Sequence, residues 1–169
     1  MNKVMRCIQG IMLLLTLVVS GCSLASESGS SGANLRGYNH VISQTVNWFS
    51  VNGYRATLNG NVCCVMIPDK WYPGLKAHVE WEVDPNTAPK FPGYKDREKF
   101  LAWKKQVESS YKHYSADVEI PQYDKSGGLD VHFLPCNKIK VYAGIDGFGS
   151  PLYPIKESMN MKESVSCQK

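Results

Sequence analysis

The chain has 169 residues, of which 43% are hydrophobic and 20% are charged, and its formal net charge is +4. These values are typical of one globular domain with a substantial core. The sequence contains no internal repeat, no heptad pattern and a single hydrophobic span, which excludes a repeat protein, a coiled coil and a polytopic membrane protein.

The first 21 residues have the features of an export signal. Lys3 and Arg6 give a positive start, and residues 8–19 form an apolar segment. A segment of about a dozen residues is too short for a membrane-spanning helix, which needs roughly 20, and is typical of a signal peptide. The sequence VSGC (19–22) resembles a bacterial lipobox, which implies cleavage before Cys22 and acylation of that cysteine. The alternative is a signal peptide that happens to contain a cysteine.

The mature chain, residues 22–169, is therefore expected on the periplasmic side of a membrane, anchored by lipid. Ser23 stands where enteric lipoproteins kept in the inner membrane have aspartate, so we expect the outer membrane. An internal start at Met12 would omit the positive residues of the signal and give a minor cytosolic form. Residues 22–33, rich in Ser and Gly, predict a flexible tether, and residues 34–169 predict a single domain. An exported domain has no nucleic acid to bind.

Seven segments have the residue types and boundaries of β-strands. The segment 76–83 alternates strictly between apolar and polar residues, which predicts a half-buried strand. Asn137 is the one residue between Cys136 and the last segment, which predicts a tight hairpin. The segments are 35–42, 48–54, 62–67, 76–83, 114–120, 128–135 and 138–144.

Residues 94–114 break this pattern and predict a helix. Apolar residues recur at spacings of three and four, and Asp96 is placed to cap the N-terminus. We expect this stripe to pack on the sheet as part of the core; its members are Phe100, Trp103, Val107, Tyr111 and Tyr114. The predicted fold is mostly β (α+β): an antiparallel β-sandwich, with an immunoglobulin-like arrangement preferred, and one amphipathic helix packed on it.

Four cysteines remain in the predicted domain: Cys63, Cys64, Cys136 and Cys167. An even number of cysteines in an exported domain predicts two disulfides. Because adjacent strand residues point to opposite faces and a bridge between them distorts the strand, we expect one of the adjacent pair to bond Cys136 and the other Cys167. Free buried thiols and a zinc site are the alternatives. Adjacent cysteines lack the C-x-x-C loop that wraps zinc, so we expect no metal.

The sequence predicts no enzyme and no cofactor. The four histidines have no metal-ligand spacing, and there is no G-x-S-x-G elbow. His78 and His132 fall on the polar faces of predicted strands, where solvated or hydrogen-bonded histidine is expected. Glu80 and Glu82 share one strand face and are interpreted as surface charges rather than as a catalytic pair. The glycine-rich segment 144–150 has no following helix to bind phosphate and is interpreted as a loop.

Three stretches resemble a family of small Gram-negative lipoproteins that carry a domain of unknown function. The resemblance spans roughly residues 35–143 and rests on FSVNGY (49–54), NVCCVMIPDKWYPGLKAHVEWEVD (61–84) and VHFLPCNKIKV (131–141). It implies a gene beside type VI secretion lipase effectors, and an immunity protein that protects the producing cell from a phospholipase delivered into the periplasm. It implies no catalytic residues.

Two loops hold aromatic residues suited to binding a protein partner such as this phospholipase. Trp71 and Tyr72 lie in a loop with proline and glycine, and Phe91 and Tyr94 lie among prolines in the loop 86–95. Trp71 fits a side chain folded under the sheet equally well. Two other functions stay open: a structural or assembly lipoprotein of the envelope, and a periplasmic ligand-binding module, which needs a buried pocket.

Overall fold

The computed structural model describes residues 29–58 and 60–167. The predictions on the signal peptide, on Cys22 and on residues 22–28 of the tether lie outside the described residues. Within the described ranges the chain forms one α-helix, α1 (Arg97–Glu108), and eight strands. The strands are β1 (Ser30–Asn39), β2 (Thr45–Val51), β3 (Tyr54–Ala56), β4 (Val62–Pro68), β5 (Lys76–Asp84), β6 (Lys112–Glu119), β7 (Leu129–Leu134) and β8 (Lys138–Tyr142).

The strands form two four-stranded sheets, so the predicted β-sandwich with one helix is confirmed. The first sheet has the order β4-β1-β7-β8 and the second the order β3-β2-β5-β6. β1 runs parallel to β7, and the other paired strands are antiparallel. This strand order is not that of an immunoglobulin domain, whose two sheets are antiparallel throughout.

The core lies between the two sheets, and β5 shows why. Its apolar residues Ala77, Val79, Trp81 and Val83 are buried, whereas the residues between them face outward, as the alternation predicted. The Trp81 ring centroid lies 6.0 Å from that of Phe133 on the opposite sheet. Burying such aromatic and branched side chains is the main contribution to the stability of a sandwich.

Several boundaries differ from the predicted ones. β1 begins at Ser30, which pairs with Pro68 of β4, so the folded part starts before residue 34. The predicted strand 48–54 is a hairpin of β2 and β3, because Asn52 and Gly53 both have positive φ, 50° and 85°. Two such residues form the turn that matches the twist of paired strands. The predicted tight turn at Asn137 is confirmed as the 3₁₀ segment Pro135–Asn137.

The helix begins where the sequence predicted. The side chain of Asp96 accepts a hydrogen bond of 3.1 Å from the backbone N–H of Lys99. The helix ends at Glu108, and Tyr114 belongs to β6. The prediction that the stripe packs on the sheet holds for Tyr114, which lies against the core, and is wrong for the helix residues, since only Val107 of them is buried and none joins the core cluster of the described residues. The reason is topological: α1 connects the ends of β5 and β6 and lies beyond the sheet.

The sandwich has two distinct ends, separated by the length of β5, which is about 27 Å for nine residues. At the N-terminal end, the backbone N–H of Asp69 donates to the carbonyl of Gly29 at 2.7 Å, and the Tyr123 hydroxyl donates to the carbonyl of Pro68 at 2.6 Å. At the helix end, Val83 pairs with Lys112. We call these the N-terminal end and the helix end.

The disulfide pairing differs from the predicted one. Cys63 is paired with Cys64 on β4, and Cys136 is paired with Cys167, whose Cα atoms are 4.9 Å apart. The predicted cross-links are wrong because β1 lies between β4 and β7. That strand order separates the adjacent cysteines from the β7–β8 turn by about 10 Å, and a disulfide spans less than about 7 Å between Cα atoms.

Candidate partner-binding surface

The structure separates the aromatic residues predicted to bind a partner. Trp71 and Tyr72 lie at the N-terminal end, whereas Phe91 and Tyr94 lie at the helix end. Trp71 is half-buried against the core, and its Nε1–H donates to the carbonyl of Ile120 at 2.8 Å. Tyr72 is 48% exposed, Phe91 42% and Tyr94 79%. Trp71 is therefore a packing residue, and the other three are accessible.

Phe91 and Tyr94 belong to a cluster of four aromatic residues, which we call the aromatic surface: Phe91, Tyr94, Phe100 and Trp103. The Phe91 ring centroid is 4.9 Å from that of Tyr94 and 5.0 Å from that of Trp103, with the rings edge to face. Trp103 Nε1–H donates to the carbonyl of Pro89 at 2.8 Å, which ties the loop to the helix. Edge-to-face pairs and this hydrogen bond hold the exposed rings in fixed positions.

The aromatic surface borders an open groove of about 420 Å³. The rest of the groove is lined by Lys104, Val107, Glu108 and Tyr111. Lys104 Nζ lies 3.6 Å from Glu108 Oε1, so charged groups flank an apolar floor. An apolar floor with a charged rim is the anatomy of a protein-binding patch.

The sequence around the aromatic surface is strongly basic. Residues 86–112 contain seven Lys or Arg and three Asp or Glu, so this stretch accounts for the whole formal charge of +4 of the chain. Lys90 and Lys95 are exposed and stand next to Phe91 and Tyr94 in the sequence. The helix end is therefore both apolar and positive.

A second group of polar residues is buried in the first sheet, and we call it the buried polar chain: Arg36, Asp130, Tyr153, His132 and His40. Arg36 Nε–H donates to Asp130 Oδ1 at 2.5 Å, and the Tyr153 hydroxyl donates to Asp130 Oδ2 at 2.9 Å. His132 Nε2 lies 2.6 Å from the Tyr153 hydroxyl, and His132 Nδ1 lies 2.8 Å from His40 Nε2. His40 Nδ1 lies 3.0 Å from the carbonyl oxygen of Ser158.

The proton count of this chain is unusual. Four hydrogen bonds link Ser158 to Asp130 through the buried polar chain. The two end atoms, the carbonyl oxygen of Ser158 and Oδ2 of Asp130, are both acceptors. The neutral forms of His40, His132 and Tyr153 supply one proton each, three in all. With Tyr153 donating to Asp130, filling all four bonds requires one further proton on an imidazole; a proton on the carboxyl group would fill them only if the carboxyl donated to Tyr153 instead.

Burial governs the pKa values in the buried polar chain. Burial and the neighbouring His40 lower the pKa of His132 to about 3. Burial, followed by the negative charge of Asp130, raises the pKa of Tyr153. Burial also raises the pKa of Asp130, against the opposing hydrogen bonds from Arg36 and Tyr153. Both His132 and Tyr153 are therefore held neutral over the physiological pH range.

The buried polar chain has the residue types of a catalytic site but is covered. Tyr38 stacks on His132 with ring centroids 4.8 Å apart, and Phe148 lies 4.5 Å from Tyr38. Of the two predicted environments for His132, the structure shows the hydrogen-bonded one and not the solvated one, because the segment with Phe148 and Tyr153 covers that face of β7. The predicted glycine-rich loop 144–150 supplies Phe148, a role that no signal in the sequence indicated.

The predicted pair Glu80 and Glu82 lies on the outer face of the second sheet, and each carboxylate has its own partner. Ser50 Oγ–H donates to Glu80 Oε2 at 3.1 Å, and Asn47 Nδ2–H donates to Glu82 Oε1 at 3.0 Å. His78, on the same face, has Nδ1 2.6 Å from Asp117 Oδ1. These contacts are cross-strand pairs that stabilise the sheet.

Among the described residues, Cys136, Glu163 and Cys167 are the one group with metal-ligand spacing. Both cysteines are engaged in the disulfide, and Glu163 Oε1 accepts a hydrogen bond of 2.6 Å from the backbone N–H of Cys136. This group therefore acts as a clasp between the β7–β8 turn and the C-terminal segment. In the part of the chain that the structure describes, no helix has the length and apolar character needed to cross a membrane.

The fold and the site define a disulfide-bonded β-sandwich domain with an exposed aromatic surface at one end. Residues 38–141 match the family model described as "Protein of unknown function (DUF3304)", and the chain belongs to this family. The matched span includes the aromatic surface, and it ends before Tyr153 and Cys167. Searches of curated proteins and of solved structures found no match.

Proposed function

We propose that this protein is a lipid-anchored, periplasm-facing immunity protein that binds and neutralises a phospholipase effector of type VI secretion. The observation that carries the proposal is the aromatic surface, in which the exposed rings of Phe91 and Tyr94 are held by edge-to-face packing against each other and against the partly buried Trp103. Aromatic anchors that are already in place lose little entropy on binding, so they are typical of tight protein interfaces.

The anchor supports this function physically. A phospholipase acts at the membrane surface, and an inhibitor attached to the same surface has a high effective concentration without any further contact. Cys22 is separated from Ser30 by seven residues, which extend to at most about 29 Å. The domain is thereby kept close to the bilayer on which its target acts.

The proposal assigns binding rather than hydrolysis to this chain. The residues with catalytic character, His40, His132 and Asp130, have at most 1% of their surface exposed. Asp130 is neutralised by Arg36, and the His132 ring is covered by Tyr38 and Phe148. In this arrangement the polar groups hold the C-terminal segment on β7, which keeps the sandwich rigid.

The experiment that tests the function is an inhibition titration. The full-length lipidated protein, in detergent micelles, is added to the phospholipase encoded beside its gene, and fatty-acid release from phospholipid is measured. We expect hydrolysis to stop at one inhibitor per enzyme, and the protein alone to release no fatty acid. Unchanged hydrolysis in the presence of excess inhibitor would contradict the proposal.

A further inference from the structure

The accessible aromatic residues stand at both ends of the sandwich, so a partner has two candidate docking sites. The N-terminal end offers Tyr72 beside the half-buried Trp71, and the helix end offers the aromatic surface. The two sites differ in apolar extent, in charge and in their distance from the anchor. All three properties favour the same end.

Apolar extent favours the helix end. There, four rings in mutual contact border the groove of about 420 Å³, and Leu101 on the adjoining helix face is 49% exposed. At the N-terminal end, the large hydrophobic residues with comparable exposure lie on separate segments: Tyr72 in the loop 69–75, Tyr54 on β3 and Met66 on β4. A cluster of rings around a groove is able to receive an apolar side chain of a partner and to exclude water around it.

Charge gives the helix end its chemical preference. The excess of Lys and Arg falls in residues 86–112, the stretch that carries the aromatic surface, whereas the remainder of the mature chain has ten basic and twelve acidic residues. Asp96 and Glu108 are engaged with Lys99 and Lys104 at 3.2 and 3.6 Å. A rim with this sign attracts an acidic surface, speeds its association and repels a basic one.

The position of the anchor decides between a protein and the bilayer as the occupant. The described chain begins at Gly29, which is hydrogen-bonded to Asp69 at the N-terminal end. A lipid on Cys22 therefore attaches the domain to the bilayer through that end, with at most about 29 Å of intervening chain, and the aromatic surface lies about 27 Å further from the anchor along β5. The end remote from the anchor is the one more accessible to a protein that approaches from the periplasm.

We infer that the helix end is the docking surface of this protein, and that its occupant is an acidic patch of the phospholipase with an apolar side chain at its centre. The inference rests on the proposed function and adds the face of the inhibitor and the chemistry of its partner. Phe91 and Tyr94 are the central contacts, and Lys90 and Lys95 form the charged rim. The phospholipase is thereby held on the side of the domain that faces away from the anchor.

Paired variants at the two ends test the inference. Phe91→Ser/Tyr94→Ser removes the exposed rings, and Lys90→Glu/Lys95→Glu reverses the rim while leaving the rings in place. At the N-terminal end, Tyr72→Ser and Lys70→Glu/Lys125→Glu are the matched controls, because these residues are also exposed. Each variant is made in the full-length protein, and its Kd for the purified phospholipase is measured at low and high salt.

We expect the ring variant to weaken binding about thirtyfold or more, and the charge variant about tenfold at low salt. The effect of the charge variant should shrink as salt screens the rim, and that of the ring variant should persist. Both control variants should stay within about twofold of the unmodified protein. If the ring variant unfolds, the charge variant alone decides whether the helix end is the docking surface, since this variant does not alter the aromatic packing.

Three outcomes overturn the inference, and they are distinguishable. If the unmodified protein binds the phospholipase and both helix-end variants bind equally well, the docking surface is wrong and the proposed function stands. If the unmodified protein does not bind at all, the proposed function fails and the inference fails with it. If unlipidated Cys22→Ala protein binds vesicles of phosphatidylethanolamine and phosphatidylglycerol through Lys90 and Lys95, while the protein complex is indifferent to these lysines, the occupant is a lipid surface.

Discussion

The imidazole rings of His40 and His132 share a hydrogen bond, with Nε2 of His40 2.8 Å from Nδ1 of His132, and neither ring is exposed. Their pairing brings the end of β1 and the middle of β7 together with the C-terminal segment, through Ser158 and Tyr153. The stability of the domain is consequently linked to the protonation of a group that solvent does not reach.

The first prediction concerns pH. The pKa of His132 is about 3 in the folded chain, so between that value and the ordinary value of 6.5 the unfolded chain binds a proton that the folded chain does not. The contribution of His132 is therefore fully present above about pH 6.5 and is lost as the pH falls, by up to about 1.4 kcal/mol per pH unit. Urea unfolding at about pH 7 and pH 5 should show this loss as roughly 2 kcal/mol.

The raised pKa of Asp130 acts in the opposite direction, so the matched measurement is the difference between the unmodified protein and His132→Asn. The variant should show the flatter dependence on pH. If the free energy of unfolding of the variant fell with pH as steeply as that of the unmodified protein, His132 would not be the source of the pH dependence. If the variant does not fold, the ¹⁵N resonances of the His132 ring decide, because they should not titrate above about pH 4.

The second prediction concerns Trp71, which the structure places against the core rather than in an interface. Trp71→Ala should lower the free energy of unfolding by about 2–3 kcal/mol, because it removes half-buried aromatic packing and the hydrogen bond to Ile120. Trp71→Phe, which keeps a ring, should cost only about 1 kcal/mol. Neither variant should change the Kd for the phospholipase under conditions where it is folded. A large loss of affinity for the phospholipase in folded Trp71→Phe would show that Trp71 contacts the partner.

The third prediction concerns the disulfides. Non-reducing peptide mapping of the periplasmic protein should recover Cys63 linked to Cys64, and Cys136 linked to Cys167. Because the second bridge closes a loop with a sequence separation of 31, Cys136→Ser should lower the free energy of unfolding by about 3–4 kcal/mol in the chain-entropy model. Recovery of Cys136 joined to either cysteine of β4 would contradict the observed strand order.

The fourth prediction concerns the anchor. Cys22→Ala should abolish labelling by fatty acid and release the protein from the membrane fraction, because the acyl chains supply the membrane affinity. Protection against the phospholipase should weaken in cells, whereas the Kd of the purified complex should stay unchanged. Serine at position 23 provides the control, since Ser23→Ala leaves the lipidated cysteine intact. Fatty-acid labelling of the alanine variant at the level of the unmodified protein would rule out Cys22 as the lipidation site.

Local pattern was sufficient for most of the fold. The alternation in β5 and the Asp96 cap are short-range features, and the structure confirms both. The disulfide pairing was not predictable, because it depends on β1 being inserted between β4 and β7, a contact between distant parts of the chain. The position of the helix in the sequence was predicted correctly. Its apolar stripe does not reveal whether the helix packs against a sheet or against a loop.

The candidate site was predictable only in part. Phe91 and Tyr94 stood out as aromatic residues in a proline-rich loop, but Phe100 and Trp103 joined them only once the helix folded back on that loop. The sequence places His132 on the polar face of a strand, either solvated or hydrogen-bonded, and it cannot decide between the two because alternation does not show which faces a later segment covers. Tyr153 covers His132 and forms a hydrogen bond with it, and Tyr153 lies in a stretch of sequence without a periodic pattern.

A contact-killing assay shows whether this protein protects its cell from a phospholipase of its siblings. A strain from which the gene and the effector gene are deleted is grown in contact with effector-positive siblings and with siblings that lack the effector. We expect the deletion strain to be killed by the first and spared by the second, and a copy of the gene to restore survival. Survival of the deletion strain equal to that of its parent in contact with effector-positive siblings would contradict the immunity function.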